Sequence, residues 1–373
     1  MNILQRGLIT LVGLGLLSSA SLAPETQSAV VLSKYALTGL TSAESERVAR
    51  AFEVLKSKDH TLEAVVAKNR LQEFLTLAPQ ARLLVEDIAL QSRHAFRQSR
   101  TSMFELTGYH SFDDVQQILK STSETYADRT VLINYGISAE GHPLTALRVG
   151  AHVKEPNSNK PRVLLTAATH GDEIITTEVM LSLINTLLSQ ARAQDPRMMQ
   201  ILEDHEIVFI PVVNPDGFSH QDRYDGEFDP NRSYPYPGHE DVKASPSVAA
   251  ELQFIQNYPI AGSIDFHAYS GVVIYPWGYT HQSLDPASLK TFTDISAKMI
   301  ATNHYQAGPI ADIMYIAPGS SVDFYYWKNK SISLGIEMGD DKSPAPSEFP
   351  RYIQEQLEST WLFIESFKSG AQL

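Results

Sequence analysis

The sequence predicts an α/β protein with a mixed, mostly parallel central sheet flanked by helices, preceded by a small ferredoxin-like α+β segment. Three observations carry this. From about Ser102 onward, short β-leaning apolar runs alternate with helical patterns, as in a sheet covered on both faces. Between Ser21 and about Arg100 the pattern reads β-α-β-α-β with short links. Ligand-type side chains recur at the expected carboxyl ends of strands, where open α/β sheets hold their ligands.

The chain has 373 residues, room for two domains or one large domain with an appendage, and 43% hydrophobic residues suffice for a full core. Asp+Glu number 43 against Lys+Arg 30, a net charge of −13, which excludes a general nucleic-acid binder. No cysteine is present, so disulfides and thiolate ligands or nucleophiles are excluded.

Met1 to Ala23 reads as a secretory signal. Arg6 supplies the positive region, Leu8 to Leu17 the short apolar region, and Ser18-Ser19-Ala20 the cleavage site. A cut after Ala20 is expected, since a cut after Ala23 leaves Pro24 at the new N-terminus. The apolar run is short for a transmembrane span, and no other stretch is apolar enough to cross a membrane. The expected product is soluble and exported, periplasmic or secreted. The expected division is residues 1–20 as signal, 21–100 as α+β segment with linker, and 101–373 as the larger domain.

Residues 30–37 read as a strand. Thr41-Ser42-Ala43-Glu44 is a capping box, and Val48, Ala49, Phe52 and Leu55 mark one helix face. Leu62, Ala64 and Val66 alternate as a second strand, and Leu71, Phe74 and Leu75 predict a helix closed by Ala78-Pro79. Residues 82–88 form a third strand. The polar stretch 87–103, with Arg93, Arg97 and Arg100, reads equally as a protease-sensitive linker or as a connecting helix.

In the larger segment, Ser111 caps a helix bearing Phe112, Val115, Ile118 and Leu119, with Asp114 at the capping-box position. Strands at 131–133 and 144–149 are joined by Glu140-Gly141-His142-Pro143. Val163 to Thr166 delivers the chain to His170-Gly171-Asp172-Glu173, and a helix follows at once. Residues 207–213 form a strand ending at Asn214-Pro215-Asp216-Gly217, a turn by composition. Helices at 247–255, 287–303 and 349–367 and strands at 263–266, 272–275 and 331–337 complete the alternation.

His170 and Glu173 are both good zinc ligands, and a catalytic zinc typically takes three protein ligands plus water. The same loop is compatible with a helix start in which Asp172 and Glu173 complement the dipole. Elsewhere, Asp265-Phe266-His267-Ala268-Tyr269 offers His267 at a strand end, suitable as a third ligand. Asn231-Arg232 suits binding a carboxylate. Glu337 is a carboxylate in an apolar run, costly to bury unless it works or is paired.

Together these pieces resemble the zinc metallocarboxypeptidases of the carboxypeptidase A kind, over nearly the whole mature chain. Tyr109-His110-Ser111-Phe112, the 140–143 turn, His170-x-x-Glu173, Asn214-Pro-Asp-Gly-Phe218, Asn231-Arg232, His267-Ala-Tyr-Ser-Gly271 and Tyr275-Pro-Trp-Gly-Tyr279 match in order. Tyr315 precedes Glu337 by twenty-two residues, the family's spacing for its mobile tyrosine and catalytic glutamate. The small N-terminal segment resembles the family's inhibitory pro-segment.

The resemblance implies one Zn2+ held by His170, Glu173 and His267, with a water of lowered pKa, and Glu337 as general base. It implies that Asn231, Arg232 and Tyr315 grip the substrate's terminal carboxylate, making an exopeptidase acting on peptide or protein C-termini. Arg223 is the candidate for oxyanion stabilisation. Asp172 stands where the family carries a secondary substrate arginine, and a cis peptide is implied at Ala268-Tyr269. Carried over by position, Ile274, Ile310, Met314, Ala317 and Val322 line an apolar side-chain pocket. Asp265, at its expected rim, could instead attract a basic group. A monomeric zymogen, opened by an endoprotease, is expected.

Alternatives are a murein-peptide (γ-D-Glu-diaminopimelate) amidase on the same scaffold, an aspartoacylase-like deacylase, and an inactive exported binding protein. Tyr315, its following loop and the N-terminal segment argue against the deacylase. The presence of Glu337 and all three metal-ligand candidates argues against the inactive module.

Overall fold

Short polar side chains followed by proline set many helix starts in this chain. In the computed structural model, which describes residues 32–56, 62–86, 108–155, 160–256 and 258–367, Asp195, Asn214, Ser245 and Asp285 each cap a helix beginning with proline. The expected signal peptide and the arginine-bearing stretch 87–103 lie outside the described residues.

The N-terminal layer runs β1 (Leu32–Leu37), α1 (Ser42–Ala51), β2 (Glu53–Lys56), β3 (Leu62–Ala67), α2 (Leu71–Leu77) and β4 (Arg82–Val85). The capping box at Thr41 and Glu44 forms as expected. The helix is shorter than its apolar pattern. Phe52 is extended, its N–H closes on the Val48 carbonyl at 2.8 Å, and Glu53–Lys56 pair with β3 instead. A long-range ladder thus overrides local periodicity, and the order becomes β-α-β-β-α-β. The strands are antiparallel in the order β2-β3-β1-β4.

Alternation gives this sheet two different faces. Tyr35 and Leu37 of β1 and Ala64 and Val66 of β3 pack with Val48, Phe52 and Phe74 in a small core. On the opposite face, Val65 joins the core of the larger layer, and Lys34 and Glu63 meet Tyr269. Both sheets lie within one compact unit from Val31 onward.

The larger layer opens with α3 (Phe112–Thr125), whose Ser111–Asp114 capping box forms. It continues through β5 (Thr130–Ile137), β6 (Pro143–Val149), β7 (Arg162–Ala167), α4 (Ile175–Arg192), α5 (Pro196–Asp204) and β8 (Glu206–Ile210). Then come α6 (Pro215–His220), α7 (Pro246–Ile255), β9 (Gly262–His267), β10 (Val272–Tyr275), α8 (Pro286–Asn303) and β11 (Gln306–Pro309). The described chain closes with α9 (Ile310–Ile313), α10 (Ser321–Asn329), β12 (Ile332–Glu337) and α11 (Phe349–Ile364).

Eight strands form a mixed sheet in the order β11-β10-β12-β9-β7-β8-β6-β5. Its centre, β12-β9-β7-β8, is parallel. Both faces are covered: Val163 and Leu165 of β7 join the core that contains α4, whereas Leu164 joins the one containing Phe254 of α7 and Tyr325 of α10. Asn214-Pro-Asp-Gly, expected as a turn, is a helix start, because the Asn214 side chain accepts the Gly217 N–H. The segments 196–204, 306–313 and 321–329 carry elements that the apolar pattern alone leaves unmarked.

Candidate active site

Three neighbouring parallel strands, β7, β9 and β12, end side by side. The loop after β7 carries His170 and Glu173, β9 ends at His267, and β12 ends at Glu337. Register pairs Glu337 with His267 directly. No side chain fits at Gly171, where a Cβ would stand 2.1 Å from the Gly217 backbone. Close backbone packing against α6 therefore shapes the loop that holds His170.

His170, Glu173 and His267 are buried, and their ligand atoms lie within 4.8 Å of one another. Nδ1 of His170 is 2.9 Å from Glu173 Oε1, and Nδ1 of His267 is 2.9 Å from Oε2. The far ring nitrogens are held by carboxylates: His170 Nε2 lies 3.2 Å from Asp229 Oδ1, and His267 Nε2 lies 3.0 Å from Asp265 Oδ2. Donation from Nε2 leaves each Nδ1 lone pair facing the centre, an arrangement that orients imidazoles on zinc.

The charge around the nest favours a cation there. Burial raises the Glu173 carboxyl, but His170, Lys342 and His267 together hold it well below the usual range. Burial lowers the His267 ring, yet Asp265 and Glu173 hold it well above its ordinary value. The buried carboxylates of Glu173 and Asp265 and the half-buried one of Asp229, around two imidazoles, suit a divalent cation, so the residues fit zinc.

Arg223 is 1% exposed, grips Asp229 Oδ2 through Nε and Nη2 at 3.0 and 2.8 Å, and directs Nη1 at His170 Nδ1 from 3.1 Å. Asn231 Nδ2 lies 3.1 Å from His267 Nε2, while Oδ1 accepts the Ser321 N–H at 2.9 Å. Beside it, Arg232 Nη2 donates to the Tyr315 hydroxyl at 2.8 Å. The structure thus gathers Arg223, Asn231, Arg232 and Tyr315 around the three ligand candidates. Ile274, Val322, Ile310 and Ala317 cluster with Val272, and Met314 packs against them. The Ala268–Tyr269 peptide is cis.

Two positions depart from expectation. Asp265 does not stand at a pocket rim. It is buried, and its oxygens accept from Thr166, Thr169, Ser321 and His267 at 2.8, 2.8, 2.6 and 3.0 Å. With these partners it orients His267 rather than facing a substrate. Asp172 is also buried, 3.0 Å from Lys342 Nζ. Lys342 lies 3.4 Å from Glu173 Oε1 as well.

Sequence reasoning left Asp229 and Lys342 without roles. Asp229 carries a legible signal, since an acid before Pro-Asn can accept the Asn231 N–H, as it does at 3.0 Å. Lys342, between Asp341 and Ser343, reads as ordinary surface. Only the fold brings it against Asp172.

The site is a buried three-donor metal nest, with a carboxylate at the adjacent strand end and a cationic grip beside it, on an α/β sheet. Comparison gives it a family. The zinc carboxypeptidase (peptidase M14) profile matches residues 115–359, and the chain belongs to that family. It is 24% identical over 299 residues to mouse carboxypeptidase D, covering 71% of this chain but only 21% of that protein. It is 26% identical over 310 residues to a zinc carboxypeptidase of Saccharothrix mutabilis subsp. capreolus, covering 70% of this chain and 69% of the relative. The crystal structure of carboxypeptidase A from Helicoverpa armigera superposes with a TM-score of 0.74 at 17% identity, covering 90% of this chain and 97% of the other. That likeness extends over the mixed sheet and its flanking helices. The family's metal is zinc, which the His170–Glu173–His267 group suits.

Proposed function

We propose that this protein is an exported zinc carboxypeptidase that removes apolar or aromatic C-terminal residues and is held latent by its N-terminal layer. The observation that carries the reading is the junction at Asn231. Its side chain touches His267 while its neighbour Arg232 meets Tyr315, so a carboxylate grip adjoins the metal nest. Such adjacency favours cleavage one residue from a free C-terminus. The apolar cluster of Ile274, Ile310, Ala317 and Val322 supports an apolar preference, because a charged side chain buried there would lack a partner.

Zinc, when bound, supplies Lewis acidity that makes hydroxide available near neutral pH. Asn231, Arg232 and Tyr315 hold the substrate's terminal carboxylate. Glu337 takes a proton from the attacking water and returns it to the leaving amine. The Arg223 guanidinium stabilises negative charge developing on the scissile carbonyl oxygen.

Latency is supported by contacts across the cleft. Tyr269, two residues beyond His267, donates its hydroxyl to Glu63 of β3, and Lys34 lies 4.4 Å from the Tyr269 ring centroid. A cavity of about 500 Å³ is lined by Phe52, Ala67 and Arg70 from the small layer and by Asp229, Arg232 and Tyr315 from the large one. Export rests on the composition of residues 1–20. Among the described residues no helix is long and apolar enough to cross a membrane.

The test uses purified protein in zinc, whole or nicked by trypsin in the 93–100 stretch. N-blocked dipeptides ending in Phe, Leu, Arg or Glu are offered beside a murein tripeptide. Chelator-sensitive release of Phe or Leu, faster after nicking, is the expected result. Release of Arg alone overturns the apolar pocket, full activity of uncut protein overturns latency, and turnover of the murein peptide alone overturns the substrate class.

A further inference from the structure

At the carboxyl end of β8, the β5–β6 turn and helix α6 bring together a second set of side chains of metal-ligand type. Ligand atoms of Glu140, His142 and Asp216 lie within 4.8 Å of one another, as do those of His170, Glu173 and His267. A fourth donor is adjacent, since His220 Nε2 lies 2.8 Å from Glu140 Oε2. We infer that Glu140, His142, Asp216 and His220 form a peripheral site for a divalent transition-metal ion, separate from the catalytic nest.

The donor chemistry selects the class of ion. Two imidazoles with two carboxylates suit zinc or cobalt, whereas calcium and magnesium favour all-oxygen sets. The backbone beneath the site is fixed without an ion. Asp216 is 4% exposed, and its carboxylate accepts from the Ser138 hydroxyl and, at 3.0 Å, from the Glu140 N–H. The Ser138 hydroxyl in turn accepts the His142 N–H at 3.0 Å. These bonds orient a ligand carboxylate as outer partners do in metal sites. The His142 ring packs edge-on to Phe112 at 4.9 Å between centroids, and among the described residues neither of its ring nitrogens has a hydrogen-bond partner. That ring is sterically held, and its lone pair is available.

An ion here ties the 138–143 turn to α6. Helix α6 lies under the loop of His170, because its Gly217 backbone leaves no space for a Cβ at Gly171. Occupancy therefore braces, from outside, the element that shapes the catalytic loop, and stabilises the fold by binding only the native arrangement.

The full chain is freed of metal, reloaded with one equivalent of Co2+, and then titrated with more Co2+. Binding is followed by calorimetry and by the visible spectrum, and the thermal midpoint is read at each stage. A second equivalent is expected, with a distinct spectrum and a rise in midpoint. His142→Gln and His220→Gln abolish that equivalent while keeping the first, along with wild-type far-ultraviolet dichroism. Ser138→Ala, which loosens Asp216, weakens the second equivalent by about 10- to 100-fold. A wild-type stoichiometry of one overturns the inference, as does a second equivalent that survives both histidine substitutions. Failure of the peptidase assay leaves this result untouched, because the readout is stoichiometry.

Discussion

The two sheets are built from the same apolar alternation and differ in what their strand ends carry. In the small sheet, the Phe74 ring meets Tyr35 at a tilt and Phe52 edge-on, at centroid distances of 5.1 and 5.3 Å. No metal-ligand group lies there among the described residues. In the large sheet both faces are sealed by helices, and the ligand candidates stand where β7 and β9 stop, with Glu337 beside them at the end of β12. Faces build stability in both layers, and only the ends of parallel strands, where backbone amides and polar side chains meet solvent, are free to do chemistry.

That contrast can be broken or sharpened by substitution. The largest expected effect is at a strand end: Glu337→Gln lowers kcat by about 10²- to 10⁴-fold while bound zinc, measured by elemental analysis, is unchanged. A variant keeping wild-type turnover would place the base elsewhere. Lys342→Met removes the partner of buried Asp172 and is expected to cost about 3–5 kcal/mol in denaturant unfolding. Adding Asp172→Asn should recover much of it, and no recovery would mean that the ion pair is not the cause. Phe74→Ala costs a similar 3–5 kcal/mol, confined to the small layer. Limited proteolysis of residues 32–86 should quicken while the nicked enzyme keeps its kcat/KM.

Glu63→Ala acts on the interface between layers. Losing one hydrogen bond to Tyr269, worth about 1 kcal/mol, should raise the uncut protein's activity by about fivefold. The smallest effect concerns pH. Burial raises the Glu251 carboxyl to about 7, against the Tyr234 and Tyr325 hydroxyls, which lower it. Its folded value lies above the ordinary 4.5, so the folded state holds the extra proton between these values. Stability from this group is then full below about 4.5 and falls as pH rises through 7. Glu251→Gln should flatten that part of the profile, read as urea midpoints at pH 5 and 8.

Much of the fold was legible because period and punctuation agreed. The capping boxes at Thr41 and Ser111 each specify one local structure, and the structure has them, whereas the strand expected over 207–213 stops at Ile210. Glu53–Lys56 was not legible, since its apolar spacing continues the helix and only pairing with β3 makes it a strand. The three ligand candidates were legible as residue types near strand ends, and only the family resemblance joined them into one set. The geometry of Asp265 was not, because a carboxylate near a pocket and one behind a histidine look alike until Thr166, Thr169 and Ser321 close around it. Lys342 shows the same limit, as its partner Asp172 lies 170 residues away.

The pairing of β12 beside β9 carries a consequence for how such an enzyme can safely be made. His267 comes 97 residues after His170, and Glu337 reaches its place only when β12 joins the ladder. A chain complete only through β9 holds two imidazoles and a carboxylate but not Glu337, the proposed proton acceptor. A one-residue slip in that last pairing turns Glu337 to the other face. Under the proposed mechanism, sheet closure is therefore an assembly checkpoint: the metal-ligand candidates come early in the chain, and the proposed proton acceptor arrives last, with the final strand of the sheet.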